Sequence, residues 1–163
     1  MSDTTIFTQF IDDVRDDRAD ENQKTDPAPP TQQTDQPAQA PDIGALPFGS
    51  IDDIADSVDP EQVVTKSDLN GDGNIDEISI DLDGDGIADV TISDYDNDGA
   101  INKIDYDADG DGDPEARAYD FDGDGVADSV LYDTTGNGEF DTRHHDFDGD
   151  GVVDSISIDP GAM

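Results

Sequence analysis

Beyond residue 68, apolar positions come in pairs spaced two apart, and the pairs recur on a fixed period: Ile78/Ile80, Val90/Ile92, Ile104/Tyr106, Ala116/Ala118, Val130/Tyr132 and Ile156/Ile158, with Thr142/His144 in the matching place of one more copy. Alternation at a spacing of two is the signature of a half-buried strand. Between the pairs lie polar stretches dominated by Asp and Gly. The pattern predicts short strands joined by acidic loops of about nine residues.

The period is 13. An Asp opens a block at Asp68, Asp81, Asp94, Asp107, Asp120, Asp133 and Asp146, and Asp159 starts an eighth. Each block reads D-x-[D/N/T]-x-[D/N]-G-x-x-[D/N/E], followed by four residues. Acidic low complexity does not hold such a register over seven copies, so the segment 68–159 is a repeat array. A 26-residue period overlies the first. Odd blocks carry Leu69, Tyr95, Phe121 and Phe147 at position 2 and their apolar pair at positions 11 and 13; even blocks carry Leu82, Ala108 and Thr134 at position 2 and the pair at 10 and 12. The expected fold is all-β and elongated. A two-sided β-solenoid with 26-residue turns is the first choice. A β-meander of consecutive hairpins explains the same alternation, and a wire with ions in place of a core comes third.

The rest of the chain reads differently. Residues 1–19 place Ile6, Phe7, Phe10, Ile11 and Val14 at helical spacing, a short amphipathic helix that is marginal alone and suited to docking on a protein partner. Residues 20–47 are rich in Pro, Gln, Thr and Ala, the composition of a disordered linker. Residues 48–67 predict a turn or two of capping helix, with Ser50 and Asp53 spaced as a capping box.

Charge sharpens the picture. The 163 residues include 44 acidic and seven basic side chains, a net charge of −37, and only 32% are hydrophobic. Residues 68–163 hold 29 of the acids and three of the bases. Such a balance argues against nucleic acid or an anionic membrane surface as partner. No stretch is apolar enough to insert in a membrane. Cysteine is absent, which removes disulfides, thiolate metal sites and thiol nucleophiles. The N-terminus lacks a basic n-region and an apolar h-region, so no secretory signal is expected. Export without such a signal and a cytoplasmic location both stay open.

Carboxylates packed this closely repel one another unless a cation neutralises them. Oxygen ligands at alternate loop positions, with Gly at position 6 for the turn, suit Ca²⁺. The candidate ligands are Asp68, Asn70, Asp72 and Asp76; Asp81, Asp83, Asp85 and Asp89; Asp94, Asp96, Asp98 and Asn102; Asp107, Asp109, Asp111 and Glu115; Asp120, Asp122, Asp124 and Asp128; Asp133, Thr135, Asn137 and Asp141; and Asp146, Asp148, Asp150 and Asp154. That allows up to about seven ions, with binding coupled to folding. Thr135 and Asn137 make the sixth block the weakest expected site, and Pro114, which stiffens its loop, makes the fourth the next weakest. Position 12 never holds Glu. A carboxylate at position 9 and the first Asp of the next block are expected to share ions in its place.

The loops resemble the DxDxDG calcium loops of EF-hand-like proteins. Tandem copies without flanking helices are similar to thrombospondin type 3 repeats, and "DFDGDGVADSVLY" resembles the loops of FG-GAP/VCBS repeats. The resemblance implies calcium binding in a structural or surface spacer module. An intracellular calcium buffer or sensor with a partner-binding N-terminal segment is the alternative, and an acidic mimic of nucleic acid comes last. No enzyme is expected. Flanking carboxylates would repel a phosphate from the "DGDG" runs, and paired carboxylates repeated seven times do not describe one active site. Tyr106, Tyr119 and Tyr132 are expected to form one packed ladder. His144 and His145 read as a surface dipeptide.

Overall fold

The computed structural model describes residues 49–159. The predicted helix at 1–19 and the linker at 20–47 lie outside them. One short helix, α1 (Ile51–Ser57), precedes eight strands: β1 (Val63–Ser67), β2 (Glu77–Ile80), β3 (Val90–Ser93), β4 (Lys103–Tyr106), β5 (Ala116–Tyr119), β6 (Ser129–Tyr132), β7 (Thr142–His145) and β8 (Ser155–Ile158).

All eight strands lie in one open sheet, in sequence order, each antiparallel to the next. The fold is therefore all-β as expected, and of the two leading architectures it is the meander. The solenoid is not formed. Nine-residue loops return the chain beside the strand it has just left, and antiparallel neighbours need no crossover. Strands of four residues are only about 13 Å long, while eight of them side by side extend the sheet to about 34 Å. The ribbon is wider across its strands than along them.

Parity explains the odd–even alternation. Directly opposed residues sum to an even number throughout β2–β8, as in Ile78↔Ile92 and Ile92↔Ile104. Even-numbered residues thus share one face of the sheet. A 13-residue step is odd, so the same face falls at positions 11 and 13 in one block and 10 and 12 in the next. This face is the core: Ile78, Ile80, Val90, Ile92, Ile104, Ala116 and Ala118 are all buried there. Full burial of one such isoleucine contributes about 2 kcal/mol.

Odd parity also divides the tyrosines. Tyr106 and Tyr132 flank Ala116 in register on the core face. Tyr119 points the other way and stacks on Phe121, ring centroids 5.3 Å apart. The single tyrosine ladder is not formed. His144 and His145 likewise sit on opposite faces, His144 edge-on to Tyr132 and His145 stacked on Phe147.

Helix α1 packs Ile51, Ile54 and Ala55 into the same core, joined by Val58, Leu82 and Ile101. Asp52 and Asp53 stand in its first turn, where negative charge favours a helix. Ser50 is the N-cap, but its side chain makes no capping bond, so the capping box does not form. The backbone anchors the helix start in its place. Ile51 N–H donates to the Gly99 carbonyl at 3.1 Å, and Ile101 N–H donates to Gly49 at 2.9 Å. β1 also falls within 48–67, a strand where only helix was foreseen. No helix among the described residues is long and apolar enough to cross a membrane.

Candidate metal centres

Successive hairpins must place their loops on opposite rims of the sheet. Loops 68–76, 94–102, 120–128 and 146–154 line one rim, and loops 81–89, 107–115 and 133–141 line the other. All seven share one internal wiring. The carboxylate at position 1 accepts two backbone N–H groups, from positions 4 and 6; in loop 81–89 these are Gly84 at 2.6 Å and Gly86 at 2.8 Å. Position 5 accepts the N–H of position 7, as Asp85 does from Ile87 at 2.8 Å. Position 9 reaches back to the N–H of position 2, as Asp89 does to Leu82 at 2.6 Å. The loop is a set of side-chain-to-backbone turns, the chemistry for which short Asp and Asn side chains are suited.

Within this common wiring, five of the seven loops bring three carboxylates together. Five groups of three each offer oxygens mutually within 4.8 Å: Asp81, Asp83 and Asp85; Asp94, Asp96 and Asp98; Asp107, Asp109 and Glu115; Asp120, Asp122 and Asp128; and Asp146, Asp148 and Asp154. Ca²⁺ binds oxygens at 2.3–2.6 Å, so two ligands on opposite sides of one ion lie about 5 Å apart. Each triad fits within a single coordination sphere. Asp89 stands outside the triad of its loop, as do Asp111, Asp124 and Asp150; Asn102 accepts the Tyr95 N–H through its Oδ1. Among the described residues no carboxylate triad forms at 68–76, from Asp68, Asp72 and Asp76, or at 133–141, where Thr135 and Asn137 replace two acids.

The protonation equilibria register the crowding. Burial raises the pKa of Asp94 and Asp120, each opposed by two glycine or asparagine N–H donors and reinforced by neighbouring carboxylates. Burial also raises Glu115, with Asp109 and Asp107 adding to it. At Asp148 the charges of Asp150 and Asp154 raise the value. Asp133 is the contrast. Burial works against its charge, but the N–H groups of Gly138, Thr135 and Gly136 outweigh it and lower the pKa. Asp81 is held low in the same manner: burial opposes its charge and the N–H groups of Gly84 and Gly86 lead those that outweigh it. Asp72 is lowered first by the N–H of Asn74.

Ion sharing between consecutive blocks does not fit this geometry. Asp89 and Asp94 stand at opposite ends of β3, on different rims. The contacts instead join loops two blocks apart. The position-1 N–H of one loop donates to the position-9 carbonyl of the loop before it on the same rim: Asp94 to Asp76 at 2.9 Å, Asp107 to Asp89 at 2.8 Å, Asp120 to Asn102 at 3.1 Å and Asp146 to Asp128 at 3.1 Å. Side chains add to this row. Asn97 Nδ2 donates to Asp72. A Cβ placed on Gly149 would come within 2.8 Å of Asp124 Oδ2. Asn97 carried a sequence signal, since it holds position 4 where the other six loops have Gly.

On the face opposite the core, Asp105 accepts from Lys103 Nζ at 2.6 Å and from Arg117 Nε, an ion triad that the spacing of the acidic blocks did not reveal. Arg117 is directly opposite Asp105 in the β4–β5 register.

No family model matches the chain, and no curated protein matches it. The likeness to calcium loops rests on the residue pattern and on the clustering of carboxylates along the two rims of this sheet.

Proposed function

We propose that this chain is a calcium-binding repeat module whose sheet is stabilised by the ions its loops hold. The observation that carries the reading is the set of five carboxylate triads, each sized for one ion. All-oxygen, flexible loops favour Ca²⁺ over Mg²⁺, which demands a tighter octahedron and retains its waters. Waters and position-7 carbonyls complete the coordination. Without Glu at position 12, affinities on the order of 10⁻⁴–10⁻³ M are expected, the range of extracellular modules. The role is structural: a ribbon whose rims carry strong self-repulsion when empty and less when filled, with no reaction catalysed.

Calorimetric titration of Ca²⁺, with circular dichroism in chelator and in millimolar Ca²⁺, tests the reading. Binding of several ions with a gain of β signal supports it. No heat and an unchanged spectrum overturn it.

A further inference from the structure

The two outer strands of the sheet are not alike. β1 carries two devices that discourage further pairing: a register irregularity between Val63 and Thr65, and the cation of Lys66. β8 has neither. Its sequence, Ser155-Ile156-Ser157-Ile158, is uncharged, and its register with β7 is regular from Thr142↔Ile158 to His145↔Ser155. All four residues are exposed, Ile156 and Ile158 by 59% each. Every strand from β2 to β7 is paired along both edges, whereas the outer edge of β8 has no strand partner among the described residues.

The following residues do not encode another hairpin of the same kind. Asp159 opens an eighth block, but Pro160, Gly161, Ala162 and Met163 come next. In all seven loops the position-2 N–H closes the loop onto position 9, as Phe147 N–H does onto Asp154 at 2.8 Å. Proline has no N–H to give. Positions 3 and 5 of this block also lack an oxygen-bearing side chain.

The geometry points to a second copy of this chain as the partner of β8, joined edge to edge about a two-fold axis. An axis normal to the sheet keeps the core faces of both copies on one side and pairs residues of equal parity, the rule already obeyed within the sheet. With Ser157 opposite its own symmetry mate, Ile156 lies opposite Ile158 of the second copy, and Ile158 opposite Ile156. Four half-exposed isoleucines then form one patch continuous with the core face. An axis in the sheet plane would place the isoleucines of the two copies on opposite faces and lose that patch. The alternating Ser-Ile-Ser-Ile strand is therefore self-complementary in one arrangement.

Charge makes the pairing conditional. In this register Ser155 lies opposite Asp159 of the second copy, so Asp154 and loop 146–154 of one chain approach Asp159 of the other at both ends of the ladder. Two chains of net charge −37 repel, and cations held in those loops weaken the repulsion where the chains meet. The calcium dependence of the dimer rests on the calcium reading above; the edge geometry does not. Four ladder residues per copy make a small interface, so the association is weak.

Sedimentation velocity of the full chain over a concentration series, in chelator and in millimolar Ca²⁺, tests the inference when run beside a direct count of bound ions. The expected result is a monomer in chelator and a monomer–dimer equilibrium in Ca²⁺. The double variant Ile156→Lys/Ile158→Lys should weaken dimerisation at least tenfold while retaining the wild-type ion count and circular dichroism. Ions bound to a chain that stays monomeric throughout overturn the inference and leave the calcium reading standing. A dimer unaffected by the double variant also overturns it, because the interface is then elsewhere. Absence of bound ions overturns the calcium reading; a dimer in chelator that the double variant breaks still upholds the edge pairing.

Discussion

Asn97 donates its side-chain amide to the carboxylate of Asp72, a residue 25 positions earlier and one loop away along the same rim. Asn97 has a positive φ of 62°, a conformation that Asn tolerates better than most residues. One residue thus turns its own loop and ties it to the previous loop of its row. The seven loops form two rows of contacts, and the sheet separates them.

Disturbance should therefore travel along a rim and not along the sequence. Asp122→Ala removes one carboxylate of the 120–128 triad and should cost that loop its ion. Loops 94–102 and 146–154 should follow, while 107–115 and 133–141 change less. Backbone NMR shifts during a Ca²⁺ titration of the variant would display the pattern. Larger shifts in the loops adjacent in sequence would contradict the two-row arrangement.

Gly149 has a φ of +69°, and an added Cβ would press against Asp124 in the preceding loop of its row. Gly149→Ala should destabilise the fold by about 1–3 kcal/mol, from left-handed strain together with displacement of that carboxylate. Chemical denaturation in Ca²⁺ measures it. A change within about 0.5 kcal/mol of zero would mean that the loops are not in contact.

The pH response should reverse with calcium. The raised pKa values of Asp94, Glu115, Asp120 and Asp148 mean that the folded chain binds protons more readily than the unfolded one there. Unfolding free energy then falls with rising pH, so in chelator these groups make the fold more stable as pH drops from neutral toward the raised values. Asp72, Asp81 and Asp133 act oppositely. Their stabilisation is complete above the usual carboxylate pKa of about 3.9 and is lost as pH falls through their lowered values. A stability maximum in mildly acidic chelator is expected. In millimolar Ca²⁺, protons compete with the ion, and stability should fall from neutral pH downward. Thermal melts across pH 3–7 in both buffers check the two signs.

Asp105 holds Lys103 and Arg117 on the face opposite the core. Burial opposes the charge of both cations, yet the carboxylate keeps their pKa values above the ordinary range. Asp105→Asn leaves two part-buried cations without their counter-ion and should cost about 1–3 kcal/mol. The cost should persist in high salt more than that of an exposed pair. Urea denaturation at two ionic strengths reads both quantities.

The sequence by itself determined the repeat, its 13-residue register and the division into strand and loop, because these are local. Period-two apolar spacing selects a strand, and Asp, Asn and Gly at fixed offsets close a loop through bonds that span at most seven residues, such as Phe121 N–H to Asp128. It also specified the core face, since parity alone puts Ile78, Ile92, Ile104 and Ala118 together once neighbouring strands pair. Tertiary structure decided which strands are neighbours. Solenoid and meander satisfy the same period, and only the return of each strand beside its predecessor settles on the meander. That choice sends Asp89 and Asp94 to opposite rims and brings Asp72 to Asn97. It also gives β1 a place ahead of the first block, pairs Asp105 with Arg117, and leaves β8 at the margin of the sheet. Such relationships depend on how strands are arranged in space, and a one-dimensional spacing carries that arrangement only after the pairing is known.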